Sequence, residues 1–334
     1  LLGLVPGMPT LIFLALGGAA TAGGMWLYKN PTDPNTAETA GELQTEQAPD
    51  PMLEDLNWDD VEQVDLVGLD IGYGLIPLVN PETGGQLLPR VKGIRKKLSA
   101  ELGFLIQPIR IRDDLDLDPD VYHIVMNGVV RGKGNIKIGK EMAINPGEVF
   151  GTLQGEATKE PAFGLDAIWI DPSQRDYART LGYTVVDSAT AIATHLNTLL
   201  RNNSSELLSH DETQQLLDKV AARSPKLVED LVPGKLPLAT VTKVLQNVLN
   251  EGVSVRDMRT IIEALSTESA RTQDADELTA TVRPRLGRMI VQSLVDVNDS
   301  LPVMTLNPGL EQMLHNVLQQ SSNPQNAVSA PKLA

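Results

Sequence analysis

The chain has 334 residues, 42% hydrophobic but only 4% aromatic, so there is length for two or three domains with aliphatic cores. A net charge of −15 argues against a general nucleic-acid binder, which needs a basic face to displace counterions. With no cysteine there is no disulfide, no thiolate nucleophile and no cysteine-ligated metal centre.

Leu1–Tyr28 carries no charge, and from Leu11 onward it is apolar or small for 18 residues, the pattern of a transmembrane helix. Trp26 and Tyr28 make an interfacial belt, and Lys29 a snorkelling cation. Small residues spaced four apart (Gly18 with Ala22, Ala19 with Gly23, Ala20 with Gly24) let membrane helices approach closely. A signal peptide would begin with basic residues, and none is present. The opening inside an apolar segment without Met reads as the last span of a longer protein. Residues 29–61 form an acidic linker rich in Pro, Thr, Glu, Asp and Gln, which is too polar to order itself. No Lys or Arg occurs between Lys29 and Arg90, so the linker repels itself and extends. Trp58, among Asp55, Asp59 and Asp60, is either a packing residue at a strand entry or an anchor for a pocket elsewhere.

The soluble body begins at Gly68–Val79. Val64, Leu66, Val67, Leu69 and Ile71 predict a strand, and Gly72, Tyr73 and Gly74 a tight bend leading into Leu75 and Ile76. The third glycine of a dinucleotide loop is missing. Gln86–Leu102 predicts an amphipathic helix with Leu87, Val91, Ile94, Leu98 and Leu102 inward, closed by Gly103. Its basic residues Arg90, Lys92, Arg95, Lys96 and Lys97 read as a solvated face or a site for an acidic partner. Strands follow at Leu105–Arg112 and Val121–Val130, with an acidic turn at Asp113–Asp120 that lacks the glycine and glutamate of a calcium loop. Gly132–Asn135 predicts a turn, without P-loop spacing. Ala143–Phe163 is loop-rich. Phe163, between Ala162 and Gly164, reads from its residues alone as core or as the floor of a shallow pocket. Strands at Ala167–Ile170 and Tyr183–Val186 flank a short helix at Ser173–Leu181.

From Ser188 the chain is mainly helical: Ser188–Leu208, a helix after the capping box Ser209–Glu212, one opening at Pro225, the stripe from Leu238 to Leu249, and Val255–Ser266 capped by Ser254. Asp276–Val295 predicts a helix bent at Pro284, Pro302–Leu306 a strand, and Pro308–Gln319 a helix before a polar tail. The result is an α+β multi-subdomain body, mainly helical and helix-turn-helix-like in its C-terminal half, behind one transmembrane helix. The DNA reading of that half is weak, because Arg256 and Arg259 alternate with acids. The histidines at 123, 195, 210 and 315 lack ligand spacing, and no nucleophile elbow or phosphate loop is present. These residues predict neither an enzyme nor a metal or cofactor site. They predict a membrane-tethered interaction module.

Gly72–Ile76, Arg112–Asp114, Ala143–Gly147, Leu165–Ile170, Ala193–His195 and Glu251–Thr260 follow one another in that order along the chain. In that order they resemble strings of the FlhA family, the flagellar export gates of type III secretion. The similarity runs from the last span to about Gln319, and Gly72–Ile76 looks flagellar rather than virulence-type. The resemblance implies an α+β subdomain at 62–138 plus 188–207 with a second inserted at 139–187. It also implies a helical third at 208–287 and the start of a truncated fourth at 288–334. It further implies a bacterial inner-membrane protein with a large cytoplasmic region, assembled as a nine-membered ring. Its partners would be flagellar export chaperones with their substrates and other proteins of the export apparatus and ATPase complex. By position, Phe163 resembles the aromatic floor of the family's chaperone-docking dimple, with Ile144, Pro146, Glu160 and Thr194 around it. Glu160 stands where relatives often carry Asp. Asp55, Trp58 and Asp60 resemble a segment that packs on the neighbouring subunit. Gly72–Ile76 becomes the signature and hinge motif. A virulence-type gate and a membrane-tethered scaffold remain as alternatives.

Overall fold

The computed structural model describes residues 64–295 and 299–321. The expected span at 1–28, the linker and the contact residues Asp55, Trp58 and Asp60 lie outside the described residues. No helix among the described residues is long and apolar enough to cross a membrane.

Two four-stranded sheets and a helical lobe build the described body. In the first sheet β1 (Val67–Ile71) lies between β2 (Arg110–Asp113), parallel to it, and β3 (Val121–Met126), antiparallel, with β4 (Val129–Asn135) outside β3. Alternation places Val67, Leu69 and Ile71 on one face, registered against Met126, Ile124 and Tyr122, all buried. Between β1 and β2 the chain crosses over through α1 (Ile76–Val79) and α2 (Leu87–Leu102). Helix α2 buries Leu87, Val91, Leu98 and Leu102 and stops at Gly103, whose φ of +98° suits glycine. Its basic face is only partly free. Arg90 pairs with Asp187 at 2.8 Å, and Arg95 donates to the Ile106 carbonyl at 2.6 Å.

The Asn127–Gly128 step corrects the expected long strand at Val121–Val130. Asn127 (φ +51°) and Gly128 (φ +76°) form the two-residue turn of a β3–β4 hairpin. Gly132–Asn135, expected to turn, continues as strand. A side chain at Gly134 would lie 2.6 Å from the Tyr122 hydroxyl, so these glycines serve close packing.

The second sheet is antiparallel throughout, in the order β6 (Glu156–Lys159), β7 (Asp166–Ile170), β5 (Glu141–Ile144), β8 (Thr184–Asp187). Met142, Ala167 and Trp169 join the main core. Ala143 and Ile170 face a smaller core with Leu153, Ala178 and Tyr183, covered by α3 (Arg175–Thr180). Asp187 ends β8 and caps α4 (Ser188–Asn202), accepting from the Thr190 amide at 2.7 Å. Burial pushes its carboxyl pKa up, but the Thr190 bonds and Arg90 outweigh burial and hold it below the ordinary carboxylate value. That stabilisation is present above the ordinary value and is lost as pH falls through the folded one.

Helices α5 (His210–Ala221), α6 (Pro225–Glu229), α7 (Leu238–Asn250), α8 (Met258–Glu268) and α9 (Ala275–Arg285) form the helical lobe. Val241, Val244, Leu245 and Val248 of α7 are fully buried. The lobe joins the first sheet at the end of α2. There the Leu102 carbonyl accepts from the Val255 amide at 2.9 Å and the Ser254 hydroxyl at 3.0 Å. This use of Ser254 corrects its expected capping role. Asp257 caps α8 instead, accepting from the Thr260 amide. Pro284 lies one residue before the end of α9, and the chain restarts as α10 (Gly287–Leu294). The strand expected at Pro302–Leu306 is irregular backbone leading to α11 (Pro308–Ser321). Val303, Met304 and Leu306 are 70, 101 and 55% exposed, so no packed surface there stabilises a strand among the described residues.

The signature bend is tight for steric reasons. Gly72 has an ordinary φ of −64°, yet a Cβ there would lie 2.1 Å from the Asp118 carbonyl oxygen. A Cβ at Gly74 would lie 2.7 Å from that of Pro119. Gly72→Ala is expected to cost about 1–3 kcal/mol, read as a drop in thermal midpoint of several degrees. Leu245→Ala, in the fully buried stripe, is expected to cost about 2–5 kcal/mol in denaturant unfolding.

Candidate functional site

One end of the second sheet gathers most of the residues singled out by sequence. Strands β6 and β7 are joined by residues 160–165. The loop closes with the Glu160 amide donating to the Leu165 carbonyl at 2.8 Å and the Gly164 amide to the Glu160 carbonyl at 2.9 Å. Gly164, at φ +71°, completes the reversal. Lys159 and Asp166 pair across the base at 3.0 Å.

Phe163 stands at the tip with 66% of its surface exposed, which corrects the core reading of its residues. An exposed phenyl ring gives up burial worth a few kcal/mol. Leu165 beside it is 41% exposed. Glu160 takes the opposite position. It is 2% exposed, and its carboxylate accepts the Ala162 amide at 2.9 Å and the Phe163 amide at 2.7 Å. Bonds to a charged acceptor are the stronger kind, so this carboxylate fixes the backbone that carries the ring.

Ile144 ends β5, registered with Ala167 of β7, and its side chain packs on the main core. The next residue, Asn145, donates its amide to the Asp166 carbonyl at 2.8 Å and accepts the Gly147 amide on its side chain. Pro146 is exposed on the turn so formed. Thr194 is half-buried on α4, which packs against β5. Four of the five expected docking residues therefore share one end of this sheet, and Thr194 lies on the adjoining helix. Gly72–Ile76 form a separate feature against Asp118 and Pro119, with Tyr73 56% exposed and Leu75 buried.

Three further residues received no site role in the sequence reading. Phe150 is 84% exposed, its amide bonded to the Leu181 carbonyl. Ile144 is registered with Thr184 at the start of β8, so Phe150 emerges at the same end as Phe163. Its glycine neighbour was the available signal. Tyr122 and His195, both buried, make a 2.8 Å hydrogen bond between hydroxyl and Nδ1. Burial pushes the Tyr122 hydroxyl far above its ordinary pKa, and the Glu160 charge adds to this. Burial pushes His195 below 6.5, against the Glu160 charge. No cluster of His, Asp and Glu suited to a metal occurs among the described residues.

With this geometry in place, comparison identifies the lineage. The chain is 45% identical to the flagellar biosynthesis protein FlhA of Escherichia coli over 96% of its own length and 46% of that protein's. It spans about half the length of the curated relatives it matches. Its fold resembles that of the Chlamydia pneumoniae CdsV protein (TM-score 0.66, 23% identity, 78% of this chain and 76% of that one), also solved as a complex with CdsO. It also resembles the nonameric EscV cytosolic domain from the type III secretion system (TM-score 0.57, 19% identity, 80% and 78%). The FHIPEP family profile matches residues 1–334, and the chain belongs to the FHIPEP family.

Proposed function

We propose that this chain is part of a flagellar type III secretion export gate and that the Phe163 loop docks chaperone–substrate complexes. The observation that carries the reading is an exposed phenyl ring on a loop locked by a buried carboxylate. A large apolar ring held rigidly in water is the composition of an interaction hot spot. Ile144, Pro146 and Thr194 form its surroundings, and Glu160 supports it from beneath. The reading is of a docking platform without cofactor or catalytic step.

The flagellar assignment is supported by 45% identity to FlhA against 19% to the EscV cytosolic domain. The nonameric state of that domain supports a nine-membered ring here, and the CdsV complex with CdsO supports contact with further export components. On this reading the gate sits in the bacterial inner membrane, with the described body in the cytoplasm, and takes part in proton-motive-force-driven export. The bodies within it are the subdomains at 62–138 plus 188–207, 139–187, 208–287 and 288–334. Trp58, with Asp55 and Asp60, packs on the neighbouring subunit, and Gly72–Ile76 act as a hinge.

Phe163→Ala tests the docking site. Calorimetric titration with a flagellar export chaperone bound to its substrate is expected to show at least about tenfold weaker binding, about 1.4 kcal/mol. The thermal midpoint is expected to stay within about 2 °C, since an exposed ring holds no core together. A scaffold whose Phe163 is core predicts the reverse, with binding unchanged and stability lower by about 3–5 kcal/mol. An unchanged dissociation constant rejects the site.

A further inference from the structure

Phenylalanine occurs four times in the chain, and three of the four lie among the described residues. Phe104 is buried in the main core. The other two, Phe150 and Phe163, both stand in water at the loop end of the second sheet, 84 and 66% exposed. An exposed phenyl ring forgoes the gain of burial, and aromatic rings are enriched where a partner covers the surface.

Strand register sets the two rings on either side of one turn. Ile144, at the end of β5, is registered with Ala167 of β7 and with Thr184 of β8. Phe163 belongs to the loop that runs into β7. Phe150 belongs to the segment that leaves β5 and is tied beside the start of β8, its amide donating to the Leu181 carbonyl at 2.8 Å. Its Cδ2 lies 3.8 Å from where a Cβ on Gly182 would stand, so the ring rests beside that glycine. The next residue is held as well, because the Tyr183 hydroxyl donates to the Gly151 carbonyl at 3.1 Å. Strands β7 and β8 are two strand spacings apart, about 10 Å. Between them runs the turn closed by the Asn145 side chain and the Gly147 amide, with Pro146 exposed on it. In strand order the exposed apolar groups are Phe163 with Leu165, then Pro146, then Phe150.

We propose that Phe150 is a second contact residue for the chaperone–substrate complex, and that the docking surface crosses the loop end of the second sheet instead of ending at the Phe163 loop. The inference rests on the docking reading and extends it beyond Ile144, Pro146, Glu160, Phe163 and Thr194. Continuity selects this occupant, since Pro146 belongs to that site and lies between the two rings in strand order. Both rings are carried on hydrogen-bonded backbone, which limits the ordering cost of binding. They are held by separate means, Phe163 by the Glu160 carboxylate and Phe150 by the Leu181 carbonyl. Truncating one ring therefore leaves the other in place.

The test is calorimetric titration of Phe150→Ala with the same chaperone–substrate complex used for Phe163→Ala. Binding is expected to weaken at least about fivefold, with the thermal midpoint within about 2 °C of the unsubstituted chain. Phe150→Leu keeps an apolar group and is expected to recover most of the affinity. Fluorophenylalanine in the full chain supplies a second readout, with four fluorine resonances assigned by substitution. Adding the complex is expected to shift the Phe150 and Phe163 resonances and leave that of Phe104 in place. Weaker binding in Phe163→Ala beside unchanged binding in Phe150→Ala and a still Phe150 resonance overturns this inference and leaves the docking reading standing. Unchanged binding in both variants rejects the docking reading and this inference with it. A Phe150 resonance that shifts with chain concentration alone assigns the ring to contact between copies of the chain and also overturns the inference.

Discussion

A carboxylate removed from water must find hydrogen-bond donors, and Glu160 finds them in the backbone of its own loop. The consequence is structural precision at an exposed place. Here the two amides on Glu160 and the Gly164 reversal set the path of the chain before the ring is placed. The ring stands in water at a position that this hydrogen-bonded backbone path sets.

The main core supplies the frame for this arrangement. Strand β5 belongs to both cores, sending Met142 inward to the large one and Ala143 to the small one. The second sheet is therefore bound to the first body along one face while its loop end stays open. Asp187 reinforces the junction, since it ends β8, caps α4 and pairs with Arg90 of α2. The helical lobe is held by a different device. The end of α2 would leave carbonyls without partners, and residues 254–255 supply two donors to Leu102.

Much of the fold was legible because it follows from short-range rules. The stripe of α2, the capping box at Ser209 and Glu212, and the helix from Leu238 appear where hydrophobic period and capping chemistry place them. The break at Asn127–Gly128 is itself a local turn signal, but other misreadings arise outside the segment concerned. Gly132 and Gly134 look like turn residues but are strand residues emptied for His195 and Tyr122. Ser254 looks like a cap but is taken by a carbonyl 152 positions earlier. Met304 and its neighbours look like strand, but a strand requires an edge to pair with. For the glycines and Ser254 a distant residue decided what the local sequence left open.

The same division holds at the site. The sequence by itself determined the family, through ordered strings from Gly72 to Thr260, and with it the candidate residues Ile144, Pro146, Glu160, Phe163 and Thr194. It did so because collinear strings are read along the chain and need no knowledge of tertiary contacts. Whether Phe163 is core or surface was not decidable locally, because small flanking residues suit both. Only the tertiary structure decided that the ring is exposed while Glu160 beneath it is buried. It alone brought Tyr122 and His195, 73 positions apart, into one hydrogen bond. Burial and long-range pairing depend on how sheets and helices close around a point, and no local pattern of residues carries that information.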